Sequence, residues 1–347
     1  MRTIASLERQ ASTDPQVVAL DPDFTRPEHE ATITIAAPAR LHMGFLDMSG
    51  DLGRRFGGLG LALSEVRTRL SVRRAKGVSA EGPSSERATR SAAALLEVLG
   101  IGQGVRIHVH ETIPEHAGLG SGTQISLAVG AALMRLFERD CHLPALAQAT
   151  RRGLRSGIGI GAFDSGGFVV DGGHGERTAI PPVIAQMPFP EDWRVIVILD
   201  RARRGLNGAA EVLAFKRLAP MTPETAGRLC RLLVMQVLPA LAERDFVPFS
   251  TGIAAIQDTV GDHFASLQGG RYTSPLIAEA LGWLRAQGVT GVGQSSWGPT
   301  GFALCEGPAG AERLVRAARP RWAESLTFLV CTAQNRGAEV MVKRKAA

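Results

Sequence analysis

The stretch PEHAGLGSGTQISLAVG, from Pro114 to Gly130, restricts what this chain can fold into more than any other part of it. Gly118, Gly120 and Gly122 crowd into a turn, after which Ile125, Val129, Ala132 and Leu136 recur at helical spacing and predict a core-packed helix over about 122–137. The preceding VRIHVHETI sets Val105, Ile107 and Val109 on one face and reads as a strand. Strand, glycine turn and helix in that order leave unpaired N–H groups at the positive end of a helix dipole, where a phosphate or another anion binds well. The glycines let the backbone approach such a ligand, and Ser121 and Thr123 add hydroxyl donors. Taken alone, the stretch fits a capped core helix with Ser121 as its cap equally well, so its surroundings must decide.

At 347 residues the chain has the length of two domains, and 45% apolar with 21% charged residues is the composition of a globular protein. No apolar run approaches the roughly 20 residues of a bilayer span, and MRTIASLERQASTDP lacks the apolar centre of a signal peptide. A cytoplasmic protein without a membrane partner is the expectation. Cys141, Cys230, Cys305 and Cys331 are far apart with no C-x-x-C pair, which argues against zinc or a disulfide framework and for buried, reduced thiols. The net charge of +6 comes from arginine, since only four of the 39 basic residues are lysines. With a single tyrosine and no basic run interleaved with aromatics, nucleic acid is not the expected partner, and small anionic substrates suit the charge better.

Residues 1–30 are polar, proline-bearing and without periodicity, and read as an arm. Order is expected from ATITIAAPARLHMGFLD, with a strand over 32–37 ended by Pro38. A first domain over 31–190 closes at the proline-rich PPVIAQMPFPEDW, and a second over 191–347 begins with the buried strand WRVIVILD. In the second, a helix over about 222–243 is expected to kink or stop at Pro239, and helices then alternate with strands to the end. The fold class that follows is α+β.

Three segments share one family pattern. APARLHMG, PEHAGLGSGTQ and GVGQSSWGPTGFA resemble, in order and spacing, the three motifs of the GHMP kinase superfamily, with Pro114, Gly118, Leu119, Gly120 and Ser121 meeting its most specific pattern. The resemblance implies a ribosomal-protein-S5-domain-2-like N-terminal domain, a ferredoxin-like C-terminal domain and an active site in the cleft between them. The sequence departs from the kinases at two places: Gly122, Thr123 and Gln124 follow the serine where kinases carry a pair such as Ser-Ala, and Ser156-Gly157-Ile158-Gly159 lacks the aspartate of a Ser-Gly-Val-Asp-like segment. Together with RSGIGIGAFDSGGFVVDGG, these segments are similar in detail to one non-kinase branch, the β-ribofuranosylaminobenzene 5'-phosphate synthase family. That likeness implies transfer of ribose 5-phosphate from phosphoribosyl pyrophosphate to 4-aminobenzoate or 4-hydroxybenzoate, with loss of CO2 and pyrophosphate, in tetrahydromethanopterin biosynthesis. An ATP-dependent small-molecule kinase and a non-catalytic ligand-binding member stay open as alternatives.

Under this resemblance, Gly118, Leu119, Gly120, Ser121, Gly122, Thr123 and Gln124 are expected to hold phosphate oxygens, with Gln294, Ser295 and Ser296 approaching from the second domain. Mg2+ is the expected cofactor, with Asp47 and Asp51 as its ligands and pyrophosphate supplying further oxygens. Arg40 and Arg55 suit the two anionic substrates, because a guanidinium fork binds carboxylates and phosphates in two places. His42, two residues after Arg40 and so on the same strand face, is a candidate proton relay or phosphate ligand, and Asp164 a candidate stabiliser of an oxocarbenium centre. Trp297 is expected to pack against its loop rather than stack on substrate, and a homodimer is expected from the family.

Overall fold

The computed structural model describes residues 31–205 and 208–344, so the 1–30 arm lies outside the described residues. The first half of the chain runs β1 (Ala31–Asp47), β2 (Arg54–Ala75), β3 (Ser79–Glu81), α1 (Ser85–Val98), β4 (Gly104–Glu111), α2 (Ser121–Leu136), α3 (Leu143–Ala149), α4 (Ile158–Asp164), β5 (Phe168–Asp171), β6 (His174–Gly175) and β7 (Val183–Met187). The second runs β8 (Arg194–Asp200), α5 (Gly208–Arg217), α6 (Pro223–Leu232), a π-turn (Leu233–Val237), α7 (Leu238–Glu243), α8 (Phe246–Gln268), α9 (Pro275–Ala286), β9 (Val292–Gln294), β10 (Gly301–Cys305), α10 (Pro308–Ala318), β11 (Leu326–Cys331) and β12 (Glu339–Arg344).

The two sheets follow from how strand residues divide between cores. The long antiparallel pair β1 and β2 is the spine of the first sheet, whose main path is β12-β1-β2-β4-β3. Ile33, Ile35 and Ala37 of β1 join Leu70, Val72, Val105 and Ile107 under α1 and α2, whereas Ala39, Leu41, Met43 and Phe45 belong to a second core shared with the other domain. The handover falls at Pro38. This proline does not end the strand as its sequence suggests, because a register irregularity between Pro38 and Ala39 accommodates it and pairing continues to Asp47. Helix α2 is buried on nearly every side, and its Gly130 lies where a Cβ would meet the Leu146 side chain at 2.9 Å.

The second sheet has the order β11-β8-β10-β9 with every pair antiparallel. Strand, helices, two strands, helix and strand along the chain, with the first strand between the last and the third in the sheet, are the ferredoxin-like arrangement, here with α5 to α8 inserted after the first strand. Alternation along β8 explains its position: Val195 and Val197 face the shared core, while Ile196 and Ile198 face α9 and α10.

Several sequence expectations need correcting. The last strand does not stay with the second domain, for β12 returns to pair with β1 along Ala31–Ala36. The proline-rich segment before Trp193 contains β7, paired with β5, and is not simply a linker. Pro239 does not stop its helix, although the regular α-helix gives way to the π-turn just ahead of it. Lacking an N–H, it sits just after the π-turn, where Leu238 donates to Leu233 and the widened ladder absorbs the missing bond. The helical span Pro223–Glu243, though broken by Glu224, Arg228 and Arg231, is long and apolar enough by length and composition alone to cross a membrane. Here it lays Leu229, Leu233, Val237 and Leu241 into the shared core. All four cysteines are free as expected, but Cys141 and Cys230 are exposed.

Candidate active site

The glycine turn does what its sequence asks. Gly118 and Gly120 have φ of 79° and 81°, the left-handed region where a side chain is strained, and Gly120 caps α2 without a side-chain hydrogen bond. The N–H groups of Thr123 and Gln124 turn back to the Gly120 carbonyl. Those of Ser121 and Gly122 open the helix. A Cβ on Gly122 would lie 3.2 Å from the Arg152 guanidinium and 3.8 Å from that of Arg87. Arg87 also approaches the Ser121 hydroxyl at 3.5 Å and Glu115 at 3.5 Å. Burial first, then the neighbouring Arg87 and Arg90, push the Arg152 pKa down, the mark of like charges gathered beside a helix N-terminus.

Arg40 and His42 lie on one face of β1, as their spacing predicts. The Arg40 guanidinium donates to the Gly118 carbonyl at 2.6 Å and its backbone N–H to Leu119 at 3.1 Å, so the arginine braces the turn from below. Burial pushes its pKa down to about 10, against the pull of Glu211 and Asp171, and it stays charged at neutral pH. His42 is 2% exposed, and neither ring nitrogen has a hydrogen-bond partner among the described residues. Burial, reinforced by Arg40, pushes its pKa down to about 3, so the imidazole is neutral.

The third motif locks onto the other two. Ser295 is fully buried; it accepts from the His42 backbone N–H at 2.9 Å and donates to the Gly118 carbonyl at 2.7 Å. Ser296 stands at φ 55° on the cleft wall and donates its N–H to the His42 carbonyl at 3.3 Å. Gln294 is turned inward, accepting from Thr273 at 2.7 Å and, through its own N–H, bonding Gln257, which donates to Met43. Trp297 stacks on Phe264 at 4.3 Å and packs on Phe215, and it is not among the residues lining the cleft.

Arg40, His42, Thr123, Arg152, Arg155, Glu211 and Ser296 line one cleft of about 230 Å3 between the domains, with Phe45, Phe56 and Phe215 completing its wall. Phe56 holds φ 76°, a conformation that costs a bulky residue roughly 1–2 kcal/mol. Glu211 of α5 pairs with Arg155 at 2.8 Å across the cleft. Burial raises its pKa while Arg155 and Arg40 oppose the rise.

Other expected site residues are placed elsewhere. Asp164 is exposed at the far end of α4, bonded to Ser165, and does not line the cleft. The buried carboxylate of that glycine-rich run is Asp171, which accepts from Ser156, Gly157 and Gly173 and so holds the start of α4. Asp47 and Asp51 meet at Ser49 rather than in the cleft: Asp47 accepts from the Ser49 N–H and hydroxyl and from the Gly50 N–H, and Asp51 shares the same hydroxyl. Arg55 is exposed beneath Gly50 and also outside the cleft lining. Gln124 is buried and donates to the Gly159 carbonyl at 2.8 Å, tying α2 to α4. Arg87, Arg152, Arg155, Glu211 and the three phenylalanines carry no local sequence signal and emerge only with the fold.

A glycine turn at a helix start, set in a cleft between an S5-like and a ferredoxin-like domain, defines a GHMP-fold protein. Family models agree: GHMP kinases N terminal domain matches residues 86–170 and GHMP kinases C terminal matches 237–324. Mevalonate kinase of L. major superposes with a TM-score of 0.67 at 14% identity, covering 88% of this chain and 96% of that one. A 4-diphosphocytidyl-2-C-methyl-D-erythritol kinase of Thermus thermophilus is 32% identical over 69% of this chain and 75% of its own. The β-ribofuranosylphenol 5'-phosphate synthase of Archaeoglobus fulgidus is 33% identical over 325 residues, 89% of this chain and all of its own. The chain belongs to the β-ribofuranosylphenol 5'-phosphate synthase family within the GHMP kinase superfamily.

Proposed function

We propose that the protein is a pentosyltransferase that joins the ribose 5-phosphate of phosphoribosyl pyrophosphate to the ring of 4-hydroxybenzoate or 4-aminobenzoate. The observation that carries this reading is the cluster of Arg87, Arg90 and Arg152 beside the start of α2: Glu115 lies 3.5 Å from Arg87 and Glu86 lies 3.6 Å from Arg90, whereas no carboxylate among the described residues pairs with Arg152. Pyrophosphate there finds helix N–H groups and guanidinium forks, which meet the negative charge it gains as its bond to C1' breaks. The sugar becomes oxocarbenium-like, and Glu211 is the carboxylate on the cleft wall facing that charge. The ring carbon bearing the carboxylate then bonds to C1'. The carbon–carbon bond to the carboxylate breaks, CO2 leaves, and its electron pair restores the aromatic ring.

Kinase chemistry is less well served. Gly159 occupies the place of the kinase aspartate and lies against Thr123, 3.2 Å from where its Cβ would be, with no carboxylate there. Magnesium does not find a protein cage in this arrangement: no group of three or more His, Cys, Asp or Glu forms one among the described residues, and Asp47 and Asp51 are engaged with their own loop. A magnesium ion would therefore need the substrate's own pyrophosphate oxygens for most of its ligands, and would supply charge neutralisation to the leaving group. A cytoplasmic homodimer belongs to the same proposal and is tested by sedimentation of the purified protein.

The decisive assay supplies Mg2+, phosphoribosyl pyrophosphate and carboxyl-labelled 4-hydroxybenzoate or 4-aminobenzoate. Labelled CO2 and pyrophosphate are expected in equal amounts. Phosphoryl transfer from ATP to an alcohol, with no CO2 released from either acid, overturns the reading.

A further inference from the structure

The cleft is cationic at the start of α2 and aromatic at its other end. Phe45, Phe56 and Phe215 form a continuous wall, with centroids 6.0 Å apart for Phe45–Phe56, 5.9 Å for Phe45–Phe215 and 5.0 Å for Phe56–Phe215. The rings come from β1, β2 and α5, so both domains contribute. The His42 ring joins Phe45 at 4.5 Å. Two features show that this wall is more than core packing: Phe56 is only partly buried and held at a left-handed φ, and His42 keeps two buried nitrogens without a partner. Buried polar atoms left unpaired on a cleft wall await a ligand's donor or acceptor.

We infer that Phe45, Phe56 and Phe215 are the platform for the acceptor's aromatic ring and that His42 is the hydrogen-bond partner of its 4-substituent. The inference rests on the proposed synthase reading and names the acceptor subsite within it. The ring lies along the phenylalanine wall by edge and face contacts. Its carboxylate turns toward Arg40 and Arg155, two of the cleft's four lining arginines, which leaves Arg152 to the start of α2. That leaves the 4-hydroxyl or 4-amino group for His42. A neutral imidazole accepts a hydrogen bond from either without taking the proton, which orients the ring and enriches it in electrons at the attacking carbon. His42 is therefore a positioning residue. Benzoate, with nothing in the 4-position, leaves the imidazole unpaired.

The test measures binding of 4-hydroxybenzoate, benzoate and inorganic pyrophosphate by calorimetry, alongside CO2 release, in the wild type, Phe56→Leu and His42→Phe. Phe56→Leu is expected to weaken both aromatic acids about three- to tenfold and to leave pyrophosphate within about twofold. His42→Phe is expected to erase the wild-type preference for 4-hydroxybenzoate over benzoate while keeping affinity for benzoate. Unchanged binding of the acids in both variants overturns the subsite, as does equal loss of acid and pyrophosphate, which marks residues that only keep the cleft's shape. The two readings fail separately. A wild type that binds the acids with this variant pattern but releases no CO2 refutes the synthase and keeps the subsite; CO2 release with acid affinity untouched by both variants does the reverse. A wild type with no affinity for either acid refutes both.

Discussion

At the scale of a residue, His42 carries a cost that pH exposes. Its pKa is about 3 in the folded protein against an ordinary 6.5, with burial as the main cause and the Arg40 charge adding to it. Between those values the unfolded chain binds a proton that the native state refuses, so stability falls as pH drops from about 6.5 toward 3 and is untouched above that window. One such group contributes at most about 1.4 kcal/mol per pH unit, or roughly 2 kcal/mol at pH 5. His110 and His263 are also pushed down by burial and add to the wild-type slope. The expected outcome is that His42→Phe loses less stability than the wild type between pH 7 and pH 5 in urea unfolding. Parallel losses would mean that His42 protonates in the native cleft. That result would also remove the neutral acceptor on which the ring's orientation depends.

At the scale of elements, the glycine turn and the third motif hold each other at backbone distance. A Cβ on Gly118 would lie 2.5 Å from the Ser295 carbonyl oxygen and 3.1 Å from that of Gly298, and neither can move without shifting its loop. On Gly120 the first obstacle is the Arg40 side chain, at 2.8 Å, which can swing aside. Gly118→Ala is thus expected to lose about 2 kcal/mol or more of stability together with activity, and Gly120→Val, strained at φ 81° even where Arg40 yields, to lose stability and pyrophosphate binding together. Urea unfolding and calorimetry separate the two effects, and normal pyrophosphate binding by Gly120→Val would refute the phosphate cradle. This turn was legible in the sequence because glycine spacing and helical periodicity are local properties of the chain. The Arg40 and His42 pairing was legible for the same reason, through the two-residue repeat of a strand. The sequence singles out Asp164 where Asp171 is the buried carboxylate, since seven residues of glycine-rich chain do not reveal that β5 brings its last residue back onto the start of α4. Arg152 lies in a loop and Glu211 and Phe215 on a helix of ordinary composition, so only the packing of α5 over the cleft gives them a role.

At the scale of the whole molecule, the cleft exists because β1 feeds two cores and the domains meet along it. Contacts that close the seam include Ser295 onto Gly118, Gly205 N–H onto the His116 carbonyl at 2.7 Å, and Glu211 onto Arg155. The last is the weakest mechanically. Arg155 and Glu211 side chains are 41% and 21% exposed, so solvent screening limits the pair to under about 1 kcal/mol. Its sign at neutral pH is adverse for Glu211 itself. Burial raises the carboxyl pKa above its ordinary 4.5, so the protonated form is the one favoured by folding, and that advantage is lost as pH rises through the folded value. Glu211→Gln is therefore expected to leave stability at pH 7 unchanged or slightly higher. Under the proposed reaction its catalytic effect is of another size, because the carboxylate faces a positive charge that exists only near the transition state. On the order of a hundredfold loss in kcat is expected, while KM for phosphoribosyl pyrophosphate holds or falls as a negative charge leaves an anion-binding cleft. Steady-state kinetics read both quantities from one data set. A raised KM with normal kcat would instead assign Glu211 to holding Arg155, and the developing charge would then be met without a carboxylate from the second domain.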